Sequence, residues 1–524
     1  MSTTLKEQLS ASYNETPYQS HPFPQSAPEH LLAVASLFGI QGTPIEQARI
    51  LELGCASGGN LIPVALRFPS AQLVGVDISS THIAEGQDTI ARLALNNITL
   101  HHNDLADITK SFGQFDYIIS HGVYSWVPPE VQAAILRISG ENLSPRGLAY
   151  VSYNTYPGWK YREVIRDAMM FRGAHRATPQ ERLSYARGMI DFLHENSPSD
   201  SLTRKNIDDV LPLLKNAQDY YLLHEFLEHC NYPCYFKEFI EQSKKNRMIY
   251  LAESQPSTMF LSNFPQNIID PLLREVNGNQ VLLEQHLDFI TSRSFRQTIL
   301  IPETRAHEIQ YRLDHAQLQR MHFAGTFTPI PPTAGLNSPS FFSTIYGVEI
   351  NITHPIAIMT AQILNDYYPS TLQVHVLAQK VQKRLPQENL ASCLSTALQF
   401  IDNMVTKGAI RYRTSAVELA VQAPEFPVKD PSACHTQLDK NWITNVWHDS
   451  IQLNIVEQSI LPLLDGEHDV VSLREHLRQE VANGRIIFKK EDQSITHPEE
   501  LATSINEHLQ AALISLKHKG LLAR

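Results

Sequence analysis

The run Ile50-Leu51-Glu52-Leu53-Gly54-Cys55-Ala56-Ser57-Gly58-Gly59-Asn60 reads as a buried strand that ends in a glycine-rich turn and opens a helix. Glycines in such a turn let the backbone approach a ligand closely, because no Cβ stands in the way. The spacing is not G-x-G-x-x-G, so no pyrophosphate cradle is expected. Downstream, Val74-Gly75-Val76-Asp77 is a strand ending in a carboxylate, which can accept hydrogen bonds from both hydroxyls of a ribose. A third strand is followed by Asn103-Asp104-Leu105, where an acid or amide can reach an adenine amino group. A lone acid after a strand is usually a helix cap or a solvated turn. Three such signals in order, each at the C-terminal end of a strand, lie where open α/β sheets bind ligands. The candidate contacts are Glu52, Gly54, Ala56, Gly58, Asn60, Asp77, Ile78, Asn103, Asp104 and Leu105, joined by His121 and Gly122 after a fourth strand.

The turn resembles the E-x-G-x-G-x-G turn of class I methyltransferases, with Ala56 in place of the middle glycine. That departure adds one methyl group and should be tolerated. The resemblance implies S-adenosyl-L-methionine as cofactor. Methyl transfer from a sulfonium is an in-line displacement, so alignment and desolvation are the enzyme's main work. The fourth strand runs on into His121-Gly122-Val123-Tyr124-Ser125-Trp126-Val127-Pro128, and the fifth into Tyr153-Asn154-Thr155-Tyr156-Pro157-Gly158-Trp159. Aromatic faces suit a cationic methyl donor or an ammonium-bearing acceptor, which makes Tyr124 and Trp126 the candidate catalytic aromatics. Tyr156 and Trp159 fit loop packing as well as they fit a site. No general base stands out; His121 is either a base, a loop-fixing residue or a cofactor contact.

The elements that must position these residues alternate. Candidate strands are Ile50–Leu53, Gln72–Val76, Ile98–His101, Tyr117–Ser120 and Leu148–Ser152. Between them Leu61–Phe68, Ile83–Leu95 and Val131–Leu143 carry apolar residues at helical spacing. This predicts an α/β, Rossmann-like domain with helices on both faces of a parallel sheet. A helical region from Tyr161 to about Glu241 follows, then β-type runs at Met248–Ala252 and Ser294–Ile301. These are expected to be the last two strands of the first sheet, with the helical region inserted before them. The Pro-rich stretch Thr328–Thr333, with Gly335 and Pro339, reads as a separating loop. Beyond it Ala397–Arg411 and Leu509–Arg524 form a faint repeat: an amphipathic helix, a stop at Lys-Gly, then an apolar run. The expected organisation is a cofactor-binding core with an N-terminal cap over 1–160, a helical insert or regulatory domain with the last two strands over 161–305, and mainly helical winged-helix-like modules at 340–425 and 435–524. The C-terminal modules would support recognition or homodimerisation.

The segments His121–Pro128 and Tyr153–Trp159 look like those of the bacterial protein lysine methyltransferases known from Rickettsia, a family with a methyltransferase regulatory domain. Tyr13–Phe23 and Tyr221–Pro233 share the resemblance. It implies an N-terminal segment folded over the cofactor, with Tyr13, Tyr18 and Ser20 as contacts, and lysines of protein substrates as acceptors. A small-molecule acceptor, or a cofactor-binding regulator without turnover, are the rival functions. The formal charge of −11 argues against nucleic acid as partner and suits a lysine-rich one. No apolar run approaches the roughly 20 residues that span a bilayer, and five cysteines fit a reducing, cytoplasmic setting better than a disulfide framework. His224, His229, Cys230 and Cys234 crowd one segment, yet no second Cys/His pair accompanies them, so no metal is expected.

Overall fold

Short Val-, Ile- and Leu-rich runs bounded by turns become strands β1 (Arg49–Leu53), β2 (Gln72–Asp77), β3 (Ile98–His102), β4 (Phe115–Ser120) and β5 (Leu143–Tyr156). Their centres are buried, as in a sheet covered on both faces. All five pair in parallel, and the short β6 (Cys234–Tyr235) pairs with the far end of β5. Strands β7 (Met248–Glu253) and β8 (Phe295–Pro302) complete the sheet in the order β3-β2-β1-β4-β5-β8-β7. β8 runs antiparallel to both β5 and β7. Strand order reverses between β1 and β4, the switch point at which open α/β sheets leave a crevice outside their carboxyl ends.

The computed structural model describes residues 20–228, 230–330, 340–343, 346–419, 425–433, 442–490 and 493–523. These fall in two units: residue 20 and the described residues among 42–61 and 70–309 form the first, and those among 21–41, 62–69 and 310–523 the second. Residues 21–41 and 62–69 thus leave the contiguous 160-residue core expected above. In the second unit Arg67, on the helix Ile62–Arg67, donates to Glu29 at 2.8 Å and to Ser432 Oγ at 2.6 Å. Glu29 lies on the helix Pro28–Leu37, whose residues are almost all buried.

Between β5 and β7 the first unit carries helices Gly158–Gly173, Pro179–Asn196, Leu202–Asn216 and Asp219–Phe226, followed by Phe236–Lys245. The first four share a core that includes Ile165, Met169, Leu183, Ile190, Ile207, Leu222 and Phe226. Their starts are set by local chemistry: Thr178 and Glu181 form a reciprocal capping box, and the Ser201 side chain accepts from the Arg204 N–H.

In the second unit Phe327–Ile330 is a strand paired antiparallel to Ser340–Ser343, where the Pro-rich stretch had suggested only a separating loop. The strand lies at the edge of its three-stranded sheet, where Pro329 takes no inner ladder bond away. The faint repeat has a physical counterpart. Helices Leu390–Thr406 and Pro498–His518 both end at a glycine of positive φ, Gly408 at 66° and Gly520 at 73°. Both close with the same bond, Ala409 N–H to Met404 O at 2.8 Å and Leu521 N–H to Leu516 O at 3.0 Å. The last of these helices packs with Ile455–Ile460 and Val470–Ala482 around Leu473, Leu477, Leu509, Leu513 and Leu522.

Candidate functional site

Parallel pairing fixes what stands at the carboxyl edge of the sheet. Leu53 is level with Val76, Asp77 with His102, Glu52 with Ile119 and Ser120 with Val151. Extended by one or two residues, that register puts Gly54, Asp77, His102, His121 and Ser152 in one row. The glycine turn, the carboxylate that ends β2 and the β4 loop therefore meet at one edge.

The turn itself is held by Asp77. One carboxylate oxygen accepts from the Ala56 N–H at 2.9 Å, and the other from the Ser79 N–H at 2.8 Å. Gly54 and Gly58 have φ of 78° and 80°, and Ala56 adopts φ 46°, a left-handed conformation that costs a residue with a Cβ roughly 1–2 kcal/mol. The substituted position is thus a strained one, and the Asp77 bond is part of what holds it. A Cβ at Gly59 would lie 2.4 Å from the Ser20 carbonyl oxygen, and the Gly59 N–H donates to Ser20 Oγ at 2.8 Å. Ser20 is thereby fixed against the turn; Tyr13 and Tyr18 fall outside the described residues. Cys55 is buried at the turn's base, and burial pushes its thiol far above the ordinary range, so no thiolate nucleophile is available.

Glu52 is 4% exposed. Burial pushes its carboxyl up to about 8, against the hydrogen bond that Asn60 donates to Oε1 at 2.8 Å. Its Oε2 is buried without a partner. Asn103 donates its N–H to the Asp77 carbonyl at 3.0 Å and accepts the Asp104 N–H at 3.0 Å, while Asp104 caps the turn Leu105–Asp107. The Ile78 carbonyl is 3.0 Å from His102 Nε2, and Leu105 is buried.

In the β4 loop His121 Nδ1 shares a hydrogen bond with Tyr150 OH at 2.8 Å, and burial lowers its pKa to about 4. So weak a base suits the loop-fixing alternative better than proton abstraction. Gly122 N–H donates to Ser152 Oγ at 2.8 Å. Tyr124 is buried, with its ring in T-shaped contact with Tyr153 at 5.9 Å and Phe239 at 5.3 Å. Trp126 is half-buried and edge-on to buried Trp159 at 6.1 Å. Sequence reasoning missed the β5 partners Tyr150 and Ser152; their signal was the alternate spacing along β5. Cys230, Cys234 and His224 lie on the insert, while His229 is outside the described residues.

A mixed sheet of this order, with a glycine turn and a carboxylate at its switch point, is that of a Rossmann-like class I methyltransferase. A methyltransferase-domain model matches residues 50–147, a predicted methyltransferase regulatory domain matches 218–301, and a PKMT C-terminal winged helix domain matches 425–521. An uncharacterized protein of Rickettsia prowazekii is 31% identical over 93% of this chain and 89% of its own. A second uncharacterized protein from that organism is 37% identical over 46% of this chain and 97% of its own. The structure of PKMT2 from Rickettsia typhi in complex with AdoHcy superposes with a TM-score of 0.85 at 29% identity, covering 97% of this chain and 100% of that one. The chain belongs to the family of S-adenosylmethionine-dependent methyltransferases with a methyltransferase regulatory domain and a PKMT-type winged helix. Its cofactor is S-adenosylmethionine. The donor set at the edge fits that group: an uncommitted buried Glu52 oxygen for its cationic end and a carboxylate at the end of β2 for a ribose.

Proposed function

We propose that this enzyme methylates lysine side chains of a protein substrate. The full-length likeness to PKMT2 of Rickettsia typhi carries the reading, since it embraces the regulatory and winged-helix parts as well as the catalytic fold. Asp77 receives the ribose hydroxyls, Asn103 and Asp104 the adenine, and the backbone of Gly54–Gly58 with Glu52 and Asn60 the amino-acid end, beside Ile78, Leu105, His121 and Gly122. Ser20 closes against the turn beside it. Bound there, the cofactor supplies an activated methyl group; the protein aligns the acceptor and excludes water, with Trp126 at the acceptor side. We divide the work among a core drawn from residues 42–61 and 70–160, an insert to 305 that shapes access, and C-terminal modules at 340–425 and 435–524 that serve recognition or homodimerisation. Among the described residues no helix is long and apolar enough to cross a membrane. Cys55, Cys230, Cys234 and Cys393 are free, which suits a reducing compartment, and we place the enzyme in the cytoplasm.

The test is transfer of labelled methyl from S-adenosylmethionine into a bacterial lysate separated into protein, nucleic-acid and small-molecule fractions. Label on lysine in the protein fraction is the expected result. Label in the small-molecule fraction alone would overturn the protein substrate.

Glu52 makes the cofactor site sensitive to pH. Its carboxyl is raised to about 8 in the free enzyme, and a cation bound beside it favours the ionised form, so binding releases a proton. Affinity for S-adenosylmethionine should therefore tighten about tenfold from pH 6 to pH 7, below the range in which the cofactor's own amino group titrates. Calorimetry in buffers of different ionisation enthalpy reads both effects. A Glu52→Gln variant should be flat over that range, and an equally steep profile in the variant would show that another group titrates.

A further inference from the structure

Successive side chains of a strand point to opposite faces, so Tyr150, Ser152 and Asn154 share one face of β5. The first two are engaged with the loop after β4, through His121 and the Gly122 N–H. The third is not. Asn154 is 4% exposed, and its Nδ2 is buried without a partner. Its backbone is nevertheless pinned, the Asn154 N–H donating to Ser125 Oγ at 2.8 Å. The same Ser125 accepts through its carbonyl from the Tyr232 N–H at 2.7 Å. That bond ties down the insert segment containing Asn231, whose Oδ1 is also buried without a partner. Two side-chain amides, one with a spare donor and one with a spare acceptor, are thus anchored to one serine. Leaving each unmade costs about 1–3 kcal/mol, a cost that the fold carries with no packing return.

Their place at the edge says what they await. Asp104, Asp77, Gly54 and His121 follow one another from β3 to β4, and β5 comes next. Asn154 stands two residues, about 7 Å, beyond the row of Gly54 and His121. This is the acceptor side of the crevice, past the β4 loop from the nucleoside end.

We propose that Asn154 and Asn231 bind the methyl acceptor, a primary amine on a polypeptide; this rests on the lysine reading above. The spare Asn231 Oδ1 accepts an N–H of the acceptor amine, and the spare Asn154 Nδ2 donates to a backbone carbonyl of the acceptor chain. The amine reaches the site as the free base, its proton left to water. Its lone pair forms the new N–C bond as the C–S bond breaks and that electron pair stays on sulfur, converting a sulfonium into a neutral thioether. Positive charge passes to the nitrogen, so the N–H···O bond strengthens in the transition state, where it accelerates the reaction.

The test pairs kinetics with stability for Asn154→Ala and Asn231→Ala, using labelled methyl transfer from S-adenosylmethionine to the protein fraction of a bacterial lysate. Transfer at limiting substrate should fall about 30- to 100-fold for Asn231→Ala and less for Asn154→Ala, with cofactor affinity within about twofold of wild type. Because each substitution removes a buried polar atom that has no partner, the thermal midpoint should stay or rise, the reverse of what losing a structural amide does. Wild-type transfer rates in Asn231→Ala, or a midpoint that falls by several degrees along with activity in either variant, would overturn the proposal. If the wild type labels no protein at all, the lysine reading fails, and the midpoint of Asn154→Ala still judges the amide pair by its sign.

Discussion

Replacing Asp77 by alanine is expected to weaken S-adenosylmethionine binding on the order of 100-fold and to bring methyl transfer to background. The size follows from the two tasks that one carboxylate performs. Toward the ligand we assign it the charged acceptor's place for ribose hydroxyls, and hydrogen bonds to an ionised partner contribute about 1.5–3 kcal/mol each. Toward the protein it holds the N–H groups of Ala56 and Ser79, at 2.9 and 2.8 Å, and so fixes the turn on which the cofactor rests. Ala56 needs that bond more than a glycine would, since it sits at φ 46°. Asp77→Asn keeps one carbonyl acceptor and should lose about tenfold, placing it between wild type and alanine. Equilibrium dialysis with labelled cofactor separates the three. Dissociation constants within a factor of two for all of them would remove Asp77 from the site.

Much of this arrangement was legible in the residues, and the parts that were not have identifiable causes. The strands at Ile50, Gln72 and Tyr117 announce themselves by the apolar runs of a sheet covered on both faces, the edge strand at Ile98 by its alternation, and Asp77 and Asp104 stand where those strands stop. Conformation was less visible. Ala56 looks like a harmless methyl in the sequence, yet its cost lies in a backbone angle that only the fold specifies. Partnership was invisible: nothing local marks Tyr150 and Ser152 as satisfied and Asn154 as not, because their partners come from another strand's loop. The grouping of residues 21–41 and 62–69 with the second unit depends on bonds such as Arg67 to Ser432, separated by 365 positions in the chain. Thr328–Ile330 was read from its prolines, and prolines do not bar an edge strand.

Arg296→Met should destabilise the first unit by about 3–5 kcal/mol, lowering its thermal midpoint by about 10 °C at pH 7. The guanidinium of Arg296, wholly buried on β8, bonds Glu253 of β7 at 2.6 Å, and Asp288 at 2.8 Å and Glu284 at 3.1 Å on the helix Gln280–Thr291. It also lies 3.8 Å over the ring of Phe236. Burial raises the Glu253 carboxyl, but Arg296 and Arg293 more than reverse this and hold it below its ordinary value; for Glu284 and Asp288 burial prevails and both stay raised. Without Arg296 only Arg293, 3.1 Å from Asp288 and 3.7 Å from Glu284, faces the acids. All three folded-state values then move above the unfolded ones. Groups raised in that way stabilise the fold at low pH and lose that contribution as pH rises, so the gap between variant and wild type should narrow from pH 7 toward pH 5. Thermal melts at both pH values check the sign, and a gap that is constant or widens on acidification would mean that lost packing, rather than stranded charge, sets the cost. The consequence reaches the chemistry because β8 is paired along β5 from Ala149 to Asn154. A loosened β8 frees the strand that fixes His121 and carries Asn154, so transfer should fall in this variant even at temperatures where the nucleoside edge on β1, β2 and β3 still binds cofactor.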